Sequence, residues 1–172
     1  VRFIRLAIAV LATVSFYQAG LELGQRYINR HRQLREIRSA LRALETEIVY
    51  GRTVLEDACS RLAGMRLGAG GRLLQWAGES LALGMSASES WLRAVDAARE
   101  NLDLDAEDLR VLVMLANILG QSDQADQAAH LTMLREMLAE REEDAAHAAN
   151  RNGRMWAYLG LLAGLGLVLL VY

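Results

Sequence analysis

Residues 34–48 read LREIRSALRALETEI, and within them Leu34, Ile37, Leu41, Leu44 and Ile48 recur at steps of three and four. That spacing lines one face of an α-helix. The helical pattern continues upstream without a break into an apolar segment, so it predicts one long helix that runs out of that segment to about Tyr50. Gly51 is the predicted stop, because glycine accepts the left-handed backbone that follows a last turn. Thr53 through Glu56 reads as a capping box opening a second helix with Leu55, Ala58, Cys59 and Leu62 on its apolar side. The glycine-rich stretch from Gly64 to Gly71 reads as a flexible connector. No Lys-Ser/Thr pair follows it, which argues against a phosphate-binding loop.

Further along, Leu73, Leu74, Trp76, Ala77 and Leu81 predict a short third helix. Ser86 with Glu89 forms another capping box, ahead of Trp91, Leu92, Val95 and Ala98. Asp105 is placed to cap the next helix, whose Leu109, Leu112, Val113 and Leu115 to Leu119 suit a central position. Gly120 ends it, Gln121-Ser122-Asp123 makes a tight turn, and a long last helix runs from about Gln124 through Arg141–Asp144 towards the C-terminus. Proline is absent, and Ala, Leu, Arg and Glu, all strong helix formers, dominate. The predicted fold is all-α: an antiparallel bundle of five or six helices whose terminal helices extend into two transmembrane segments.

Apolar residues make up 53% of the 172, above the usual share for a globular domain, and the surplus sits at the two ends. Residues 6–21 carry no charge, nor do residues 155–172. About 20 helical residues cross the roughly 30 Å hydrocarbon layer. The expected division is an N-terminal transmembrane helix over 1–24, a cytoplasmic bundle over 25–152 and a C-terminal transmembrane helix over 153–172. A cleaved signal peptide competes with an anchor at the N-terminus, since Arg2 and Arg5 precede the apolar run. Trp156 and Tyr158 sit where interfacial aromatics belong. Gly160, Gly164 and Gly166 fit either close helix packing or the general tolerance of membrane helices for glycine. Arg26, Arg30, Arg32, Arg35, Arg38 and Arg42 follow the first segment, and Arg151 and Arg154 precede the second. The positive-inside rule then puts the middle in the cytoplasm. The same arginines also fit a solvated helix face or one that meets acidic lipid head groups.

All 19 basic residues are arginine, so lysine-dependent phosphate, Schiff-base and kinase chemistry is excluded. Cys59 stands alone and is expected to be a buried, inert thiol. A net charge of −2 argues against a general nucleic-acid binder. His31, His130 and His147 have no second ligand at metal-helix spacing. Glu45 and Glu47 diverge by about 200° on a helix and cannot act as a pair from one face. Glu142, Glu143 and Asp144 read as a solvated patch, and Ser60 and Ser90 lack the glycines of a nucleophile elbow. The expectation is a non-enzyme with no catalytic residue, cofactor or metal.

Two stretches resemble signatures of the stage III sporulation protein AB family: Leu44-Glu45-Thr46-Glu47-Ile48-Val49-Tyr50-Gly51, and Leu119-Gly120-Gln121-Ser122-Asp123 followed by Gln127 and His130-Leu131. Their separation, the apolar ends and the length match as well. The resemblance implies a multi-pass protein of the mother cell membrane facing the forespore in endospore-forming bacteria. It also implies a platform or scaffold in the secretion-like complex that joins the two cells, similar to the inner-membrane platform domains of type II secretion and type IV pili. The implied partners are the stage III sporulation AA ATPase, other proteins of the complex and the lipid bilayer, with self-association left open. Glu45, Glu47, Asp123 and Gln127 are the candidate partner contacts, and Ile48, Tyr50, Gly51 and Gly120 the candidate structural motif. The alternative is a membrane-tethered adaptor or sensor that binds a regulatory protein without an ATPase.

Overall fold

A computed structural model describes residues 2–49, 53–117, 119, 124–153 and 155–171. Seven helices occur among them, and no strand: α1 (Arg2–Val49), α2 (Leu55–Ala63), α3 (Gly68–Ala82), α4 (Ala87–Asn101), α5 (Ala106–Ala116), α6 (Gln124–Asn152) and α7 (Met155–Val171). The chain divides into two compact units, Arg32–Glu143 and the pair of segments Val1–His31 and Asp144–Tyr172.

The unit Arg32–Glu143 is all-helical and draws on six helices, in keeping with the five or six predicted. Its core is built on the α1 stripe: Leu34, Ile37, Leu41, Leu44 and Ile48 are all buried. Cys59 and Leu62 of α2, Leu73 and Leu74 of α3, Leu112 and Leu115 of α5, and Leu134 and Leu138 of α6 are buried too. Each fully buried leucine contributes about 1.5–3 kcal/mol. Trp91 of α4 is buried whole, and its indole Nε1–H donates to the Leu112 carbonyl at 2.7 Å, so its one polar atom is satisfied.

The predicted caps at Ser86 and Asp105 are present as full capping boxes, Ser86 with Glu89 and Asp105 with Asp108. The box predicted at Thr53–Glu56 is not. Val54 holds the N-cap of α2 without a side-chain bond, and the Thr53 hydroxyl instead donates to Glu47 Oε2 at 3.1 Å. A carboxylate already at the end of α1 outcompetes the local amide. Nor is Gly64 to Gly71 a connector throughout, because α3 begins at Gly68. The glycines there serve close approach: Gly68 has φ +55°, and a Cβ on Gly70 would meet the Glu36 carbonyl and lie 2.5 Å from the Ala40 Cβ. Glu36 Oε2 also accepts from the Ala69 amide at 2.7 Å, which holds the first turn of α3 on α1. Glu142 is not simply solvated, since Arg38 Nε lies 3.0 Å from its carboxylate. The predicted stops at Gly51 and Gly120 and the turn over Gln121–Asp123 lie outside the described residues.

In the other unit, α6 ends at Asn152 and α7 starts at Met155, so the single last helix expected from the sequence is interrupted. The Gly153 amide donates to the Ala149 carbonyl at 2.9 Å as the last bond of α6. Among the described residues no helix is long and apolar enough to cross a membrane. The interruption leaves α7 with 17 residues, while Thr13, Ser15, Tyr17 and Gln18 dilute the apolar part of α1. Glycines bring α1 and α7 together. A Cβ on Gly20 would meet the Trp156 carbonyl, one on Gly160 the Phe16 carbonyl, and one on Gly164 would lie 2.8 Å from the Thr13 Cα. Gly166 faces open space, so only the first two of the three C-terminal glycines serve packing.

Candidate functional site

The last turn of α1 carries the first group of candidate residues. Glu45 accepts from the Thr132 hydroxyl at 3.1 Å and is ion-paired with Arg135, both on α6. Glu47 turns the other way, accepting from Thr53 and from Arg61 Nη1 of α2 at 3.0 Å. Ile48 is buried behind them. The two carboxylates, about 200° apart on the helix, thus engage different helices and never share a ligand. Tyr50, Gly51, Gly120 and Asp123 lie outside the described residues, and Gln127 is placed only as part of α6.

A second ionic cluster escapes the sequence reading. Arg141 of α6 donates from Nη2 to Asp105 Oδ2 at 3.0 Å and from Nε to Asp108 Oδ1 at 3.1 Å. Asp108 is fully buried, so the guanidinium neutralises a carboxylate that water cannot reach. One signal was available: Asp108 falls in phase with Leu112 and Leu115, where the helical pattern calls for an apolar residue.

Two clefts flank the exposed ridge of α1. One opening of about 380 Å³ is lined by Arg32, Arg35 and Ser39 of α1 with Arg66 across from them, and Glu36 at its side. The other, about 340 Å³, is lined by Arg38, Ser39 and Arg42 with Arg135 and Glu136 of α6 opposite. Ser39 belongs to both, so the basic surface is continuous. In the sequence Arg32, Arg35, Arg38 and Arg42 fit the flank of a membrane segment, a solvated helix face or one that meets acidic lipid head groups. Their convergence with Arg66 and Arg135 arises only from the tertiary fold.

The Cys59 thiol is buried, and desolvation pushes it up to about 12, far from a reactive thiolate. Among the described residues no three His, Cys, Asp or Glu side chains gather as a metal site. The carboxylates of Glu45 and Glu47 are engaged by Arg135 and Arg61, and the Ser39 hydroxyl donates to the Arg35 carbonyl within α1.

A protein-family model described as Stage III sporulation protein AB matches residues 5–172 of the chain. The chain is 33% identical over 164 residues to the Stage III sporulation protein AB of Bacillus subtilis (strain 168), covering 95% of this chain and 96% of that one. A solved structure of Stage III sporulation protein AB is similar in fold, with a TM-score of 0.66 and 30% identity, over 71% of this chain and 97% of that one.

Proposed function

The chain belongs to the stage III sporulation protein AB family, and from that premise we propose that it is a membrane-anchored platform of the secretion-like complex between mother cell and forespore. Its terminal helices hold it in the mother cell membrane, and its helical unit Arg32–Glu143 docks the complex's AA ATPase in the cytoplasm. The observation that carries this reading is the family match over residues 5–172, and α7, 17 uncharged residues separated by two residues from the arginine-bearing end of α6, supports it as an apolar anchor. The glycine-mediated packing of α1 on α7 supports it further, because small residues at the interface are what membrane helices use to approach closely. Glu45 and Glu47 contribute by fixing the end of α1 against α6 and α2, and Asp123 and Gln127 by contact with the partner.

Reporter fusions at residue 100 and at both ends test the topology: cytoplasmic activity at residue 100 alone fits, and export of that position overturns the reading. Co-purification from membranes of sporulating cells tests the docking. An ATPase retained by the parent chain supports the platform, and a regulator recovered without any ATPase favours the adaptor.

A further inference from the structure

The two clefts beside α1 have a charge arrangement that the fold itself does not require. Arg32, Arg35, Ser39 and Arg42 fall within about 80° of helix surface and extend along about 15 Å of its axis. Arg38 is held by Glu142 and Arg135 by Glu45, but among the described residues Arg35, Arg42 and Arg66 have no acidic partner. Arg38 lies three residues from Arg35 and four from Arg42, the spacings at which like charges on a helix repel. A chain with a net charge of −2 therefore gathers three guanidinia without an acidic partner among the described residues, Arg35, Arg42 and Arg66, along one ridge and its two clefts.

We infer that this face is the seat of an acidic protein segment, whose carboxylates enter the clefts on either side of Ser39 and pair with Arg35, Arg66 and Arg42. The guanidinium fork matches a carboxylate with two parallel hydrogen bonds, which a compact ammonium cannot do. Two observations favour a protein segment over a bilayer. The surface is grooved rather than convex, and its grooves are walled by Leu67 and Ala139 as well as by charge. Each groove also holds one carboxylate, Glu36 or Glu136, so a segment with carboxylates spaced to meet Arg35, Arg66 and Arg42 fits where a uniform sheet of phosphates does not. The inference rests on the docking reading above and locates the surface that does the docking.

The full chain in nanodiscs of zwitterionic lipid, titrated with a fluorescent glutamate-rich peptide of 12 residues, tests it. Peptide affinity should fall at least tenfold in Arg35→Glu/Arg66→Glu and should weaken as salt is raised, whereas Arg93→Glu/Arg110→Glu should bind like the parent. Matching thermal melts establish that the variants fold, and Arg35→Gln/Arg66→Gln replaces the reversal if it does not. Equal affinity in the cleft variant and the parent overturns the proposal, as does a parent that binds no peptide. So does a cleft variant that keeps the peptide but loses phosphatidylglycerol vesicles. An ATPase that co-purifies equally with parent and cleft variant leaves docking standing and overturns the clefts as its seat. An ATPase that co-purifies with neither removes the docking reading, and the peptide titration alone then decides the clefts.

Discussion

Arg141 Nε donates to Asp108 Oδ1 across 3.1 Å, joining the middle of α6 to the first turn of α5 at a carboxylate with no solvent exposure. Taking away the guanidinium leaves a buried charge without its counterion, which costs about 3–5 kcal/mol. Arg141→Ala should lower stability by about 3 kcal/mol in chemical denaturation, and Asp108→Asn in the same background should recover part of the loss. Equal stability of Arg141→Ala and the parent would mean that α5 is held by its apolar face alone.

Gly70→Ala sets two effects against each other. Replacing a helical glycine gains about 0.5–1 kcal/mol from backbone entropy. The new methyl, however, would sit 2.5 Å from the Ala40 Cβ and against the Glu36 carbonyl. Overpacking costs about 1–3 kcal/mol, so the net change should be a loss. Gly64→Ala, whose methyl would lie 3.5 Å from the Arg61 carbonyl, is the control and should be neutral or stabilising. Denaturant midpoints of the two variants check the sign.

The Ser86 hydroxyl and amide both bond to the Glu89 carboxylate, and together they hold it below the usual carboxylate range. A group whose folded pKa is depressed adds stability above its unfolded value and loses it as pH falls through the folded one. The parent should therefore lose this increment on acidification through the carboxylate range, and Ser86→Ala should show a shallower acid limb. Melting curves between pH 7 and pH 3, compared for the two proteins, give the answer; superimposable acid limbs would assign the cap no ionic part.

Packing between α1 and α7 can be read by cross-linking. In a Cys59→Ser background, Thr13→Cys with Gly164→Cys should oxidise to a disulfide once the two helices part slightly, since a Cβ on Gly164 lies 3.1 Å from the Thr13 Cβ and a disulfide holds its Cβ atoms about 3.8 Å apart. Adding Gly160→Leu, which drives a side chain into the Phe16 carbonyl, should abolish the cross-link. Gly166→Leu, facing open space, should leave it intact. Mobility on non-reducing gels reports all three.

Where local spacing carries the information, the sequence is readable. The stripe from Leu34 to Ile48, the box at Ser86 and the cap at Asp105 depend on residues a few positions apart, and each is realised in the fold. Errors arose where a distant residue decides. Thr53 bonds to Glu47 instead of capping α2, because the carboxylate that captures it lies upstream on another helix. Gly68 and Gly70 look like breakers until Glu36 and Ala40 are packed against them, more than 27 residues away. The same applies to the candidate surface. Arg35 and Arg42 are visible as a run, but nothing local announces that Arg66 and Arg135 face them.

The opposed directions of Glu45 and Glu47 make the last turn of α1 a bracket with two arms. The Glu45 arm grips α6 and the Glu47 arm grips α2, with no ligand in common. The two residues nonetheless stand on one turn, so their effects couple through the backbone they share. Cutting one arm takes away that carboxylate's own tie, while α6 stays joined to α1 through Arg38 and Glu142 and to α5 through Arg141 and Asp108.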